Sequence, residues 1–365
     1  MKPCHPYITL PLDEGLIVAR HDGHRLFVMN GSARFMWERR AEGVADSEIP
    51  RLMAMHFGIA YEQAQHDFRK TLRRWQAVGL ATPAGYYHHH EIGGVAFSVH
   101  YQDLALQAAI APTFAHLKAA TPLFGVGQPH REFQVGAEDN RFVLRADGAE
   151  ILQSAILDEV LERLIRAVVM CACDHVQWLV LMHAAAVGSR TGCVLMPGVS
   201  GSGKSTLTAS LLSSGRSYYM TDDVALLDRA SLCVVPVPGA LILKRGSWEL
   251  LEPLLPELSA LAIRCRAGQD VRYWAPPAAQ IATVQLPVKA IIFVRYENGR
   301  KASLVPLSTL EGLSQIIEAP SAISAPITSE TLEQLASWAQ GIPFYTLGYG
   351  SLTEATHLIE ELLWP

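Results

Sequence analysis

Charge is scarce in this sequence: 18% of its 365 residues are Asp, Glu, Lys or Arg, against about a quarter in an ordinary soluble domain. Half of the residues are hydrophobic, so the low charge reads as a large buried core divided over two or three domains. Long apolar runs are missing as well. No stretch reaches the ~18 uncharged residues that a membrane span needs, and the opening MKPCHPYITLPLDEG lacks the apolar centre of a secretion signal. No membrane partner and a cytoplasmic location are therefore expected. The six cysteines, at 4, 171, 173, 193, 233 and 265, form no C-x-x-C pair, so neither a disulfide framework nor a zinc site is indicated and buried thiols are the default. A strong positive charge is absent too. The net charge is −5, divided as +2 over residues 1–85 and −7 over the rest, which does not suit a general nucleic-acid binder.

What the chain does have is centred on Cys193 to Leu212, CVLMPGVSGSGKSTLTASLL. It reads as a short buried strand, a glycine loop and a helix that stops at Gly215. Gly198, Gly203, Lys204 and Ser205 satisfy the phosphate-loop pattern G-x-x-x-x-G-K-[ST]. Glycines let backbone N–H groups turn inward around phosphates, and the helix that follows aims its positive end at them. Residues Gly198, Val199, Ser200, Gly201, Ser202, Gly203, Lys204, Ser205 and Thr206 are thus the expected nucleotide cradle. Lys204 reaches the β- and γ-phosphates of ATP, and the Ser205 hydroxyl ligates Mg²⁺.

Residues 1–85 read as a separate small module. Alternating runs at Leu16 to Val18 and Leu26 to Met29 precede three helical patterns: Ser32 to Arg39, Ser47 to Phe57 with a stop at Gly58, and Tyr61 to Val78 with a stop at Gly79. In the third, Ala64, Phe68, Leu72, Trp75 and Val78 make one apolar stripe, opposite Arg69, Lys70, Arg73 and Arg74. Strands followed by three small helices suggest a winged-helix-like α+β unit. The run H-R-L-F-V-M-N-G-S-A at His24 to Ala33, with W-Q-A-V-G-L at Trp75 to Leu80, resembles the PqqD-like family, whose members recognise precursors of ribosomally made, modified peptides. The resemblance implies that a peptide or small-protein substrate adds as a strand to the sheet edge and lies on the third helix. A DNA-binding winged helix and an inert structural or oligomer-forming module remain the alternatives, and assembly into a homo-oligomer is expected.

Residues 86–150 read as a β-rich lobe with strands at Phe97 to Tyr101, Glu132 to Val135 and Arg141 to Leu144. His88, His89 and His90 stand in a row, where three adjacent side chains cannot converge on one metal, so they read as linker or surface residues. Residues 151–365 form the third part. It opens with a predicted helix over Ile151 to Val169, bearing Ile156, Val160, Leu164 and Val168 on one stripe and Asp158, Glu159, Glu162 and Arg163 exposed. An apolar strand over Gln177 to Val187 follows, interrupted by His183. After the glycine-loop helix, a predicted strand over Ser217 to Asp228 holds the adjacent carboxylates Asp222 and Asp223. Adjacent strand residues face opposite ways, so the pair needs separate tasks unless the strand ends there. Phosphoryl transfer has use for one carboxylate near Mg²⁺ and another that orients or deprotonates the attacking hydroxyl.

His183, then Lys204 twenty-one residues on, then Asp222 eighteen further, with the runs H-A, G-V-S-G-S-G-K-S and T-D-D-V, resembles the catalytic domain of HPr kinase/phosphorylase and its bacterial relatives over roughly residues 150–350. That resemblance implies an α/β nucleotide domain in which His183 contacts the phosphates, Asp222 is the base for the acceptor hydroxyl, and Asp223 lies near the metal. Thr206 stands where the family usually has Glu, and Val235 to Pro253 replaces the segment expected to contact HPr. The implied acceptor is therefore a Ser or Thr on a peptide or small protein delivered by the front module, with a small-molecule kinase or an ATP-gated DNA-binding regulator as alternatives. Arg264 to Pro287, rich in Arg and Pro, reads as a mobile loop over the site. Lys244, Arg245 and Arg272 are candidates to neutralise developing charge. A hairpin around Asp228 to Ala230, a buried strand at Ala290 to Arg295, and capped helices at Ser308 to Ile317 and Ser351 to Leu363 complete the expectations.

Overall fold

The computed structural model describes residues 7–20, 26–42, 44, 46, 48–77, 80, 86–117 and 130–364. It is a mixed α/β protein with four sheets and ten α-helices among those residues, none of the helices long and apolar enough to cross a membrane. The front part is an antiparallel sheet of β1 (Tyr7–Leu12), β2 (Gly15–Arg20) and β3 (Leu26–Asn30), followed by α1 (Gly31–Ala41), α2 (Ile49–Phe57) and α3 (Tyr61–Ala77). Strand alternation turns Leu16, Val18 and Met29 onto the helices, where they meet Trp37, Met53, Phe68 and Trp75. The other face shows Leu10 and Leu12 of β1 and Leu26 and Val28 of β3 to solvent, up to 75% exposed. Asn30 caps α1 by accepting from the Ala33 N–H at 3.0 Å, and Gly58 closes α2 in the left-handed region. Ala64, Phe68 and Trp75 are buried as the helical stripe requires, while Arg69, Lys70, Arg73 and Arg74 are exposed. His24, Arg25, Ser47, Val78 and Gly79, on which parts of the expected pattern fall, lie outside the described residues.

The middle part is a five-stranded sheet of β4 (Tyr86–Ile92), β5 (Val95–Tyr101), β6 (His130–Glu138), β7 (Arg141–Ala146) and β8 (Ala149–Ser154), in that order. Only β5 and β6 run parallel, with α4 (Leu104–Ile110) between them in the chain. The next helix, α5 (Leu157–His175), packs Val160, Leu164 and Val168 into the same core. Two expectations fail here. The predicted helix from Ile151 is strand up to Ser154, because left-handed Asp147 and Gly148 make a tight turn that folds β8 back on β7. Ile156 accordingly sits just outside α5, 53% exposed, and Asp158 and Glu162 are half-buried ion-pair partners of Arg264 and Arg266. The three histidines are not linker residues either. They belong to β4, and alternation sends His90 into the core, stacked on Phe97 with ring centroids 5.0 Å apart.

The remaining strands are β9 (Trp178–Met182), β10 (Ala184–Gly188), β11 (Cys193–Pro197), β12 (Tyr218–Thr221), β13 (Ala225–Asp228), β14 (Cys233–Val235), β15 (Leu241–Lys244), β16 (Arg264–Arg266), β17 (Gln269–Trp274), β18 (Leu286–Tyr296), β19 (Ser303–Leu307), β20 (Ser321–Ile323) and β21 (Phe344–Tyr349). With them come α6 (Lys204–Ser213), α7 (Trp248–Leu251), α8 (Thr309–Glu318), α9 (Ser329–Gln340) and α10 (Leu352–Leu363). The large sheet runs β12-β10-β11-β18-β14-β13-β9-β20, and β21 pairs with both β18 and β19. One face packs on α6 and α10 through Leu207, Leu211, Ile292 and Ile359. The other meets α8 and α9 through Leu195, Phe293, Ile316 and Trp338. The hairpin of β13 and β14 forms as expected, and Ser308 caps α8 in a full capping box.

Both predicted long strands are broken. β9 pairs with β13 and β20, whereas β10 pairs with β11 and β12, so the chain changes sheet partners at His183. It does so again between β12 and β13, at Asp222 to Val224. The first part of the expected mobile loop, Arg264 to Trp274, is instead the hairpin of β16 and β17 in a small sheet, β15-β17-β16. Left-handed Ala267 and Gly268 turn β16 into β17. Arg264 binds Asp158 at 3.2 Å and Arg266 binds Glu162 at 3.1 Å, which fixes this hairpin to α5.

Candidate functional site

β11, β18 and β21 are parallel, so they deliver Pro197, Tyr296 and Tyr349 to the same edge of the large sheet. At that edge residues 198–203 form the glycine loop, and Gly203 is the N-cap of α6 with φ +100°. A side chain at 203 would strike the Tyr349 hydroxyl and crowd Tyr296 Cβ. Left-handed backbone and lack of space therefore both demand glycine. The Tyr349 hydroxyl in turn donates to the Gly203 carbonyl at 3.2 Å.

Lys204 is buried, and its Nζ donates to the carbonyls of Gly198 at 2.6 Å and Val199 at 2.9 Å. Burial lowers its pKa, against the pull of Asp222 and Asp223. Ser200, Gly201, Gly203, Ser205 and Thr206 line one cleft with it. The hydroxyl of Ser202, a residue of the loop itself, is buried without a partner.

The two breaks in strand pairing bring the acid and imidazole groups to the same cleft, which His183, Asp222 and Asp223 all line. The His183 carbonyl accepts from the Gly198 N–H at 3.2 Å, tying that break to the loop. His183 Nδ1 lies 3.0 Å from Asp223 Oδ1 and 2.9 Å from the Asp223 carbonyl. Both neighbours only accept, so Nδ1 carries the hydrogen. Asp223 is half exposed, and its pKa is lowered chiefly by the hydrogen bond from His183.

Asp222 is different: it is buried, and its Oδ1 has no partner. Desolvation pushes its carboxyl up to about 7, opposed by a hydrogen bond from the Ser205 hydroxyl and by the Lys204 charge, and reinforced by the charge of Asp223. The sequence-picked residues thus converge, but in two couples, Ser205 with Asp222 and His183 with Asp223.

Mg²⁺ takes hard oxygen ligands and usually one or two carboxylates, leaving its other positions to water and phosphate. The Ser205 hydroxyl and Asp223, whose carboxylate is favoured by its lowered pKa, are oxygen donors of that kind on the same cleft. Among the described residues no group of three or more His, Cys, Asp or Glu is placed to hold a metal.

Of the three candidate cations, Lys244 alone lines the cleft, with Nζ 3.3 Å from Ser200 Oγ. Arg245 binds Asp270 on the surface at 2.8 Å. Arg272 is buried away from the cleft, 4.1 Å over the Trp248 ring and 2.9 Å from Glu252. Sequence reasoning missed Arg266, Ile242, Tyr296, Tyr349 and Leu352, which also line the cleft. For the two tyrosines a signal existed, since each closes a buried parallel strand, and ligands gather at the carboxyl ends of such strands. No protein-family model matches this chain, and no curated protein matches it.

Proposed function

We propose that this chain is a kinase of the HPr kinase/phosphorylase-related type, with a phosphate-binding loop at residues 198–206, that transfers the γ-phosphate of ATP to a Ser or Thr hydroxyl on a peptide or small protein. The observation that carries the reading is the convergence of His183, Lys204, Ser205, Asp222 and Asp223 on one cleft, although Lys204 and Ser205 open α6 while His183 and the Asp222–Asp223 pair sit at two separate breaks in strand pairing.

Lys204 and the amino end of α6 supply positive charge for the β- and γ-phosphates. Asp222 is the base. Its carboxyl, raised to about 7 by burial, is half ionised near neutral pH, where a general base works best. It takes the acceptor's proton as the hydroxyl oxygen attacks the γ-phosphorus in line. The bond from that phosphorus to the β-phosphate oxygen breaks, and the nucleoside diphosphate leaves with its charge met by Lys204. His183 holds Asp223 through Nδ1. Ser205 and Asp223 would hold Mg²⁺, which would supply positive charge to offset that of the transferring phosphate.

The front module supports a peptide acceptor. It has three strands followed by three helices, the order expected of a winged-helix-like, PqqD-like unit, with an exposed apolar sheet face and an exposed basic face on α3. These are complementary to a strand-forming segment with acidic residues.

The test is labelling by γ-labelled ATP and Mg²⁺ of a Ser/Thr peptide library with the full chain. Wild type labels a subset of peptides, and Asp222→Asn binds nucleotide yet labels none. Labelling by Asp222→Asn at the wild-type rate removes the proposed base. Failure of the wild type to bind any nucleoside triphosphate removes the kinase.

A further inference from the structure

The sheet order sets out the cleft from end to end. Along the edge come Asp222 after β12, His183 before β10, the glycine loop after β11, Tyr296 at the end of β18 and Tyr349 at the end of β21. The acid groups and the tyrosines therefore flank the loop on opposite sides. In-line transfer puts the acceptor on one side of the γ-phosphate and the rest of the nucleotide on the other. If the acceptor meets Asp222, the base lies on the β18 and β21 side.

The lining there is Tyr296, Tyr349 and Leu352, with Thr206 at the start of α6. Tyr349 is buried and its hydroxyl is given to the Gly203 carbonyl. Tyr296 is 42% exposed and stands edge-on to Tyr349, centroids 5.6 Å apart at 69°. A ring held in a T-shaped contact by a fixed neighbour and still largely exposed can serve as a stacking platform. Deep in the same cleft, the buried Asp222 has an oxygen with no partner, a second mark of a ligand-binding space.

We propose that Tyr296 and Leu352 hold the purine of the donor nucleotide by stacking and apolar contact, and that the site accepts adenine and guanine nucleoside triphosphates alike. The proposal rests on the kinase reading above. Telling a 6-amino from a 6-oxo purine requires a buried group that hydrogen-bonds that edge and is left unpaired by the wrong base. The Tyr349 hydroxyl is committed to Gly203, and Tyr296 and Thr206, whose hydroxyls remain, are not buried, so the lining offers ring and alkyl surface but no buried edge partner. Every base has a π-face, so stacking does not discriminate.

The experiment is equilibrium binding of ATP, GTP and inorganic tripolyphosphate to the full chain, as wild type, Tyr296→Ala and Tyr296→Phe. Wild type binds ATP and GTP within about threefold of each other, because no edge contact separates them. Tyr296→Ala weakens both about tenfold, the scale of one lost base–aromatic stack. It leaves tripolyphosphate, which has no base, unchanged, and Tyr296→Phe restores both nucleotides. Three results overturn the assignment while the phosphate site stands: a preference between ATP and GTP of about thirtyfold or more, unchanged ATP affinity in Tyr296→Ala, or an equal loss for tripolyphosphate, which would mean that the ring only props up the loop. If wild type binds none of the three ligands, the kinase reading fails and this inference falls with it.

Discussion

His183 Nδ1 sits 3.0 Å from Asp223 Oδ1 and 2.9 Å from the carbonyl oxygen of the same residue, so one N–H is shared by two acceptors on one partner. This fixes the ring's tautomer and its direction at the point where the chain leaves one set of strand partners for another. Replacing the carboxylate by an amide keeps the shape but weakens the hold on the ring. Asp223→Asn is expected to slow phosphoryl transfer about a hundredfold, the scale of a small misplacement of reacting groups. Binding of ATP without Mg²⁺ should stay close to wild type. Transfer at the wild-type rate would show that the pair is only structural.

With Asp222 as the base of the proposed transfer, the pH dependence follows from that residue. Its carboxyl is pushed up to about 7 because desolvation disfavours the carboxylate. A base must be ionised to act, so kcat/KM should fall as pH drops below about 7, approaching tenfold per pH unit. The measurement is kcat/KM for a labelled peptide between pH 5 and pH 9, a range of about two units either side of that value. Asp222→Asn should lose this limb and lower transfer by roughly 10²–10⁴-fold.

Fold stability has a separate pH dependence, set in the β-lobe. Burial pushes His90 down to about 3 and His116 down to about 4, from 6.5. Below pH 6.5 the unfolded chain takes up protons that the folded chain refuses. Stability is therefore complete above the unfolded pKa and lost as pH falls from about 6.5 toward 4, by at most about 1.4 kcal/mol per pH unit for each histidine. Chemical unfolding at pH 7, 6 and 5 checks this. His90→Phe, which keeps a ring on Phe97, should reduce the slope by close to one proton.

The readable parts of the chain were those with local signals. Strand β11, the glycine loop and α6 follow one another within twenty-one residues, and apolar run, glycines and helical spacing are all present there. The breaks at His183 and at Asp222 to Val224 were not readable, because they arise from pairing with strands up to about 140 residues away. Nothing in QWLVLMHAAAV marks where one pairing stops. Other misses had visible causes. Asp147–Gly148 and Ala267–Gly268 are left-handed two-residue turns, and the first carries a D-G signal that outweighs the helical look of the residues after it. His90 shares a strand face with His88 and Ile92, so period-two alternation placed it in the core.

Gly203 and Tyr349 make a stability prediction coupled to binding. Gly203→Ala puts a methyl group against the Tyr349 hydroxyl at φ +100°. Left-handed strain alone costs about 1–3 kcal/mol, and the start of α6 must shift to relieve the clash. Thermal unfolding should move down, and tripolyphosphate binding should be lost. Tyr349→Phe, which only deletes the hydroxyl given to Gly203, should cost about 1 kcal/mol and weaken binding less.

Under the kinase reading, Lys244 and Arg272 separate transfer from architecture within one small sheet. Lys244 reaches into the cleft at the end of β15, with its Nζ 3.3 Å from Ser200 Oγ on the glycine loop. One register pair back, Leu243 lies opposite Arg272, whose guanidinium is spent on Trp248 and Glu252. Lys244→Ala should therefore lower transfer about a hundredfold, as loss of one preorganised charge on the transferring group does, with the melting temperature unchanged. Arg272→Ala should do the opposite. It strips a desolvated cation from an indole face, worth about 2 kcal/mol, and leaves transfer per folded molecule at the wild-type level. Measuring both variants by calorimetry and by initial rate decides the assignment, since a rate loss in Arg272→Ala that outruns its unfolded fraction would put that guanidinium back in the reaction.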